Sequence, residues 1–470
     1  MTRQSAGASP SQVLAGLWLA SGGDPLALDR VELTGEDPAL PSSFRVGAAA
    51  QTTIAAAALA AAEVWKLRTG RTQTVACDMR HAVIEFRSER HMRIAGRTRG
   101  PAWDKIAGVY ASGDGRKVRL HTNFPHHRDG ILELLGCAYE RDAVQAALMQ
   151  WRAEAFETAA AEAGLVATMM RSPEEWAAHP QGKAVARLPL FEIIRIGDAP
   201  ARSLPAGADR PLSGVRVLDL TRVIAGPVCG RTLAAHGADV MRITAPHLPS
   251  LPELDIDMGR GKLSSHVDLR AADDRACLEG LLRESHVFVQ GYRPGGLDAK
   301  GFSPEALAEM RPGIVAVSLS AYGHEGPWAD RRGFDSLVQT ASGINVAEAE
   351  AAAGVAPREL PAQALDHASG YLMAFGAMMA LMRKAQEGGS WHVRVSLAQT
   401  GHWLTGLGRV ANGFACAEPS GEELRAVTGE IDTPFGRLSF VKHAARLSET
   451  PASWERPPVR LGTHAPLWPV

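Results

Sequence analysis

The sequence predicts an α/β protein in which an open, mostly parallel sheet is joined to a smaller α+β domain and an extended C-terminal tail. The first observation is a strand–helix–strand unit over 212–243, where "VRVLDL" and "ADVMRI" flank the helical "GPVCGRTLAAHG". The second is that short apolar strands, "HVFVQ" at 286–290 and "GIVAVSLS" at 313–320, alternate with helical segments. Such alternation is typical of a parallel sheet covered by helices on both faces.

The region before this sheet has a different order of predicted elements, a hairpin followed by helices. The stretch "GVYASGDGRKVRLHTN" predicts a β-hairpin that turns at Gly113-Asp114-Gly115, and the helical "RDAVQAALMQWRAEAFETAAAEAG" follows it. We therefore predict a small α+β domain over 83–200, a linker rich in Pro, Ala and Gly over 201–213, and an α/β core over 214–410. The proline-containing residues 411–470 predict an extended segment.

Residues 1–82 are predicted to be a degenerate repeat of the end of the α/β core. A shift of 318 positions (366 − 48) places 48–79 on 366–397 without a gap. Both copies begin at small residues, continue as an apolar helix to a glycine, and enter a strand. The second copy has an acid, Asp366, where the first has Ala48.

Composition narrows the class of protein. At 470 residues the chain exceeds the size of a single hydrophobic core, so several domains are expected. A net charge of −1 gives no broad basic field, which argues against nucleic acid or a membrane surface as a partner. The five cysteines lack the spacing of a metal site, so we predict reduced thiols, no bound metal and a cytoplasmic protein. The N-terminal apolar stretch of about nine residues is short of the ~20 that a membrane span needs.

The stretch "LSGVRVLDLTRVIAGPVCGRTLAAHGADVMRI" resembles the class III CoA-transferases, a family that includes formyl-CoA and carnitine CoA-transferases and the α-methylacyl-CoA racemases. The likeness continues in order through "GRGKLSSHVDLR", "VQGYRPGGLDAKGFSPEAL", "RPGIVAVSLSAYGHEGPWADRRGFDSLVQTASG" and "ALDHASG". It implies a Rossmann-like core that transfers coenzyme A between an acyl-CoA and a carboxylic acid. In the family the small domain follows the core, whereas here it precedes it. The chain therefore resembles a rearranged or partly duplicated member, and the repeated helix favours duplication.

The resemblance places Asp366 on the catalytic aspartate of the family. A carboxylate nucleophile can carry the acyl group as a mixed anhydride and CoA as a thioester. Because Asp366 stands at the entrance to an apolar helix, we expect the helix dipole and free backbone N–H groups to keep it ionised. From the pattern alone, a simple helix N-cap is the alternative.

Three segments are expected to bind CoA. The loop "TRVIAGPVCG" follows the first strand at the end where open sheets bind ligands, and by resemblance it lines the CoA site. The basic "GRGKLS" suits the 3′-phosphate and diphosphate, and "YRPGG" matches a family segment near the pantetheine and adenine. A tight turn and solvated surface charges are the alternatives. The residues so predicted are Arg222, Val223 and Ala225 in the first segment, Arg260 and Lys262 in the second, and Arg293 in the third.

The expected substrates are an acyl-CoA and a carboxylic acid, with no permanently bound cofactor, and the interlocked dimers of the family imply a homodimer. One alternative is a racemase, which needs an acid/base pair on both sides of the α-carbon. Family racemases have a histidine where this chain has Phe334. The other alternative is a catalytically inactive CoA-binding scaffold. It is motivated by the degenerate first copy and by "RIAGRTRGPAW", which has few glycines where the family often has a Gly-rich loop over the aspartate.

Overall fold

The computed structural model of the protein describes residues 7–98, 100–207 and 209–469. Residues 7–98 form the helices α1 (Pro10–Ala20), α2 (Val46–Thr69), α3 (Met79–Glu85) and α4 (Ser88–His91), and the strands β1 (Val31–Thr34), β2 (Val75–Asp78), β3 (Arg93–Ile94) and β4 (Arg97–Thr98). Residues 100–207 form β5 (Gly108–Ala111), β6 (Lys117–Leu120), α5 (Pro125–Leu135), α6 (Arg141–Leu148), α7 (Ala153–Glu162), β7 (Ala167–Met169), α8 (Pro173–Ala178), α9 (Pro180–Arg187) and β8 (Phe191–Gly197).

The remaining elements belong to the α/β core and the C-terminal segment. The core contains β9 (Arg216–Leu220), α10 (Ala225–Ala235), β10 (Asp239–Thr244), α11 (Pro252–Met258), β11 (Lys262–His266), α12 (Ala272–Arg283), β12 (Val287–Gln290), α13 (Pro304–Met310), β13 (Val315–Ser320), α14 (Asp335–Ala341), α15 (Ile344–Ala351), α16 (Ala364–Glu387), β14 (Ser390–Ser396) and α17 (Leu397–Gly406). The C-terminal segment contains α18 (Gly421–Ala426), β15 (Thr428–Thr433), β16 (Gly436–Val441) and β17 (Ala445–Leu447).

The core is built on a seven-stranded sheet in the order β11-β10-β9-β12-β13-β14-β8. The first six strands are parallel, so the predicted α/β class and the strand–helix–strand unit over 212–243 are confirmed. The chain winds outward from β9 in one direction and from β12 in the other. A crevice therefore opens beyond the carboxyl ends of these two strands, where open α/β sheets bind ligands.

The strand β8 corrects the predicted boundary of the small domain. Its residues, 191–197, were assigned to the α+β domain over 83–200, but they pair antiparallel with β14 at the edge of the core sheet. This pairing satisfies the N–H and C=O groups that an open edge of β14 would leave free. The chain thus enters the core sheet before the predicted linker over 201–213.

The small domain contains the predicted hairpin, in which β5 and β6 are antiparallel and β7 pairs on the other side of β6. Its helices cover one face of this sheet around a separate apolar cluster. A buried ion pair between Arg171 and Glu157 (2.6 Å) stands at its border, and the backbone of Arg171 hydrogen-bonds Thr340 of α14. The small domain is thereby attached directly to the core.

Two helices of equal length, α2 and α16, lie side by side in the middle of the protein. Both ends of the second helix follow those of the first by 318 positions (364 − 46 and 387 − 69). By length and composition the helix α2 could cross a membrane, but 94% of its most apolar 18-residue stretch is buried inside the protein. A helix that is apolar on every side is a core helix when protein surrounds it.

The C-terminal prediction is wrong over 421–447. Instead of an extended chain, β15 and β16 form a hairpin that continues into β3 and β4, while β17 pairs with β2. These strands pair with sheet edges that the N-terminal segment leaves open. No local sequence pattern reveals such an edge, because its residues lie 344 (438 − 94) to 372 (447 − 75) positions earlier in the chain. Residues 448–469 are irregular and run over the surface of the core.

Candidate functional site

A cleft of about 860 Å³ opens at the carboxyl ends of β9, β10, β12 and β13. One side consists of loops of the α/β core, including the turn after β9 and the segments 267–270 and 291–300. The facing side, which we name the small-domain wall, consists of Phe124, Pro125, His126, His127 and Val166. Both domains of one chain therefore enclose the same space.

Asp366 lies in this cleft as the third residue of α16, and only 8% of the residue is exposed. It does not cap the helix. The Oδ2 atom of Asp335 accepts hydrogen bonds from the backbone N–H groups of Leu365 (2.8 Å) and Asp366 (3.0 Å). The N-cap interpretation of Asp366 is therefore wrong, because Asp335 performs that task and leaves the Asp366 side chain free to face the cleft.

The electrostatic setting of Asp366 is the reverse of the expected one. Burial, followed by the nearby carboxylates of Asp335 and Glu89, raises its pKa well above the ordinary value. Burial also raises the pKa of Asp335 to about 6. Within the described ranges, no donor hydrogen-bonds the Asp366 side chain. The ionised form that a nucleophile needs is consequently reached at higher pH than for an exposed aspartate.

The same cap recurs in the first copy, without the nucleophile. Asp37 accepts hydrogen bonds from the backbone N–H groups of Gly47 (2.9 Å) and Ala48 (3.0 Å), which are the counterparts of Leu365 and Asp366. Ala48 itself is fully buried. A capping carboxylate at this helix entrance is thus a structural feature, and the additional acid at position 366 is not needed to form the helix.

The side chain of His367 turns away from the cleft. Its Nε2 atom lies 3.1 Å from Oε2 of Glu89, both residues are buried, and the ring stacks on Phe86. Glu89 belongs to α4, so the N-terminal region contributes a charged group directly behind the candidate nucleophile. Because adjacent helix positions point in different directions, His367 cannot act on a ligand that faces Asp366.

Four of the six residues predicted to bind CoA line the same cleft as Asp366. These four are Arg222, Val223, Ala225 and Arg293. The guanidinium of Arg222 lies 4.8 Å from the ring centre of Phe124 and donates to the carbonyl of Pro249. Val223 has a φ of 72°, a left-handed conformation that costs a β-branched residue roughly 1–3 kcal/mol and is found mainly at functional sites.

Arg260 and Lys262 are corrected by the structure, because both side chains are buried outside the cleft. Arg260 is 1% exposed and donates to Asp257 (2.9 Å) and to the carbonyl of Val441 (2.9 Å). Lys262 is also 1% exposed and donates to Asp219 (2.7 Å). Each cation neutralises a buried carboxylate, so neither is free to bind a phosphate.

Sequence reasoning missed the small-domain wall and Arg332. His127 is 4% exposed and packs against Phe334, with ring centres 6.3 Å apart. The ring of His126 is tilted against that of His127, with ring centres 4.0 Å apart. The only sequence signal is the pair of histidines in "FPHHRDG" at a predicted helix start. The loop expected over the aspartate instead forms the β3–β4 hairpin outside the cleft, and its residue Arg99 lies outside the described residues.

The ionisable residues of the cleft do not form a metal site. Across the described parts of the chain, no group of three or more His, Cys, Asp or Glu side chains is arranged to hold a metal ion. What the cleft offers is one buried carboxylate, several guanidinium groups and apolar walls.

Comparisons with known proteins show similarity over much of the chain. Residues 212–428 match the model of CoA-transferase family III, so this part of the chain is similar to the members of that family. The acetyl-coenzyme A transferase nodX of Hypoxylon pulicicidum is 30% identical over 322 residues, which cover 64% of this chain and 54% of that protein. An acyl-CoA transferase of Gibberella moniliformis is 29% identical over 422 residues, covering 80% of this chain and 73% of that protein.

Among solved structures, the crystal structure of Rv3272 from M. tuberculosis is 29% identical to this chain. The match covers 43% of this chain and 57% of that chain, with a TM-score of 0.40. The chain spans about half the length of nodX.

Proposed function

We propose that this protein transfers coenzyme A from an acyl-CoA to a carboxylic acid, with Asp366 as the nucleophile. The observation that carries the proposal is the position of Asp366, a buried carboxyl facing a cleft at the carboxyl ends of the core strands, within the residues that match CoA-transferase family III. The names of the relatives, an acetyl-coenzyme A transferase and an acyl-CoA transferase, support the same activity.

The chemistry requires no external base once Asp366 is ionised. Its carboxylate attacks the thioester carbonyl of the donor, the C–S bond breaks, and the products are a mixed anhydride and the CoA thiolate. The thiolate attacks the aspartyl carbonyl, which releases the donor acid and leaves an aspartyl-CoA thioester. The acceptor carboxylate then attacks this thioester to form a second anhydride and the thiolate. Attack of the thiolate on the acceptor carbonyl gives the new acyl-CoA and restores the Asp366 carboxylate.

The surroundings of Asp366 serve two further requirements of this sequence. Water must not hydrolyse the anhydride, and the apolar side chains of Val223, Ile224 and Phe334 restrict its access. The CoA moiety needs cations along the cleft, and Arg222 and Arg293 are available there. We assign these two to CoA, together with Val223 and Ala225 at the turn after β9.

Detection of the covalent intermediate tests the proposal directly. After incubation with acyl-CoA, intact mass spectrometry followed by peptide mapping should find CoA attached to Asp366. The variants Asp366→Asn and Asp366→Ala should lack both this adduct and carboxylate exchange. Normal exchange by Asp366→Asn would disprove the nucleophilic role.

A racemase is the second candidate, and the specific observation that favours it is the presence of His126 and His127 in the same cleft as Asp366. Against it, the ring of Phe334 stacks on His121 at 4.0 Å and occupies the position where family racemases have their histidine. Loss of the α-deuterium from a labelled 2-methylacyl-CoA would favour the racemase. A third outcome, CoA binding without exchange or deuterium loss, would indicate an inactive scaffold.

Three further proposals concern the whole protein. We propose a cytoplasmic homodimer, which fractionation and light scattering can test. We also propose that residues 1–82 derive from a duplicated core. The equal lengths of α2 and α16 and the constant shift of 318 positions between their ends support this origin.

A further inference from the structure

The cleft beside the small-domain wall contains arginines that have no carboxylate partner among the described residues. Arg332 donates to the carbonyl of Gly164 (3.0 Å), and no carboxylate of the described residues lies within salt-bridge distance of it. The same holds, over the described ranges, for Arg222 and Arg293. Two other arginines that face the cleft have a carboxylate within salt-bridge distance: Arg270 is paired with Asp268 at 2.6 Å, and Arg331 lies 3.9 Å from Glu157, which also pairs with Arg171.

These unpaired groups are close enough to affect one another. After burial, the charge of Arg293 lowers the pKa of Arg332. Burial first, then the charges of His126, Arg332 and Arg222, lower the pKa of His127 to about 3. An arrangement in which like charges face each other without a counter-ion is costly unless an anion binds between them.

A buried polar atom in the same wall lacks a partner. His127 is 96% buried (4% exposed), and its Nδ1 atom has no hydrogen-bond partner in the described structure. A neutral imidazole can donate one hydrogen bond, and a carboxylate oxygen is a suitable acceptor. An anion that bridges Arg332 and His127 would satisfy both groups.

The wall is close to the nucleophile. His127 contacts Phe334, and the next residue, Asp335, hydrogen-bonds the backbone of Asp366. Arg332 precedes Asp335 by three residues, so their Cα atoms are at most about 10 Å apart. In a bound thioester, the long pantetheine arm separates the reacting carbonyl from the CoA phosphates. The anion at this wall is therefore part of the acyl group or of the acceptor acid.

We propose that Arg332 and His127 form a second carboxylate subsite, which selects a short dicarboxylic acid as acceptor and its CoA thioester as product or donor. This proposal rests on the proposed transferase function. One carboxylate of the diacid reacts at Asp366 while the other binds Arg332 and His127. The reacting end needs no cation of its own, because it is consumed in the anhydride.

The test compares succinate with butyrate, which has nearly the same length but a single carboxylate. Arg332→Gln should lower kcat/KM for succinate about 30- to 100-fold more than for butyrate, which is the usual effect of one charge-assisted hydrogen bond. The ratio of kcat/KM for succinate to kcat/KM for butyrate should also fall in His127→Phe, but by a smaller factor. Arg332→Lys should keep part of the ratio that Arg332→Gln loses. The matched control is Lys300→Gln, an exposed cation at the far side of the cleft, which should leave the ratio unchanged.

Binding without turnover separates the two proposals. In the Asp366→Asn protein, succinate should raise the melting temperature more than butyrate does, and Arg332→Gln should abolish the difference. If that pattern holds and no exchange occurs with any acyl-CoA, the subsite stands and the transferase function fails. If exchange occurs with equal preference for both acids, the subsite fails and the function stands. If Arg332→Gln lowered kcat/KM equally for both acids and raised the KM for CoA, the subsite would also be overturned, because Arg332 would then bind the CoA phosphates.

Discussion

Replacing Asp366 by asparagine should abolish exchange and at the same time stabilise the protein at high pH. The carboxyl is buried beside Asp335 and Glu89, and its folded-state pKa lies well above the ordinary value. A group of this kind favours the folded state below its unfolded pKa and loses that contribution as pH rises through its folded pKa. Ionised Asp366 is therefore a cost to folding that the reaction requires.

The size of this cost follows from its neighbour. The pKa of Asp335 is raised from 3.8 to about 6, which corresponds to roughly 3 kcal/mol once that group is ionised. The Asp366 carboxyl is also buried, and the charge of Asp335 raises its pKa further, so its ionisation opposes folding as well. Asp366→Asn should raise the free energy of unfolding by roughly 2–3 kcal/mol at pH 8, and by much less at pH 5.

The assay is urea unfolding of the wild-type and variant proteins at pH 5 and pH 8. If the two proteins differed in free energy of unfolding by the same amount at pH 5 and at pH 8, the coupling between the buried carboxyls would be refuted. The first copy supplies the reciprocal experiment: Ala48→Asp places an acid beside the capping Asp37 at a fully buried position. It should destabilise the protein by about 3 kcal/mol at pH 8 and by less at pH 5.

Four other outcomes are expected. The value of kcat/KM should rise towards alkaline pH as Asp366 ionises. Asp335→Asn should move this rise to lower pH because it removes a like charge beside Asp366. An unchanged pH profile in this variant would contradict the electrostatic role of Asp335. Lys262→Met should destabilise the protein by roughly 3–5 kcal/mol, because it leaves the buried Asp219 without its cation. Arg293→Ala should change the KM for CoA without changing the melting temperature. Gly370→Ala should cost about 1–3 kcal/mol in thermal unfolding, since a Cβ there would lie 2.4 Å from the carbonyl oxygen of Ala225; unchanged stability would show that α10 moves freely against α16.

The core fold and the candidate nucleophile could be predicted because their signals are local. The parallel strands are short apolar runs separated by helical periodicity, and the hairpin at Gly113–Gly115 follows from its turn residues. Asp366 stood out because it precedes an apolar helix whose other copy has Ala48. The expected ionisation of Asp366 was wrong because Asp335, 31 positions earlier, occupies the helix N–H groups.

The errors concern partners that are distant in sequence. Arg260 and Lys262 look like a phosphate-binding turn, but each is matched to a buried acid, Asp257 or Asp219. One signal was present: Asp219 lies inside the apolar strand "VRVLDL", and a buried acid there needs a cation. The placement of β8 and of the C-terminal hairpin depended on sheet edges that no local pattern describes.

The pairing of α2 with α16 sets an order of events during synthesis. The second helix is made 318 residues after the first, which at 5–20 residues per second is roughly 15–60 s later. For that interval α2 has its N-terminal neighbours α1, β1, β2 and α3, but the face that packs against α16 has no partner, although the helix is as apolar as a membrane span. The face of α2 that packs against α16 is therefore covered by its native partner only after the helix that bears Asp366 has been made. Placing the small domain and the core in the reverse order would shorten that wait.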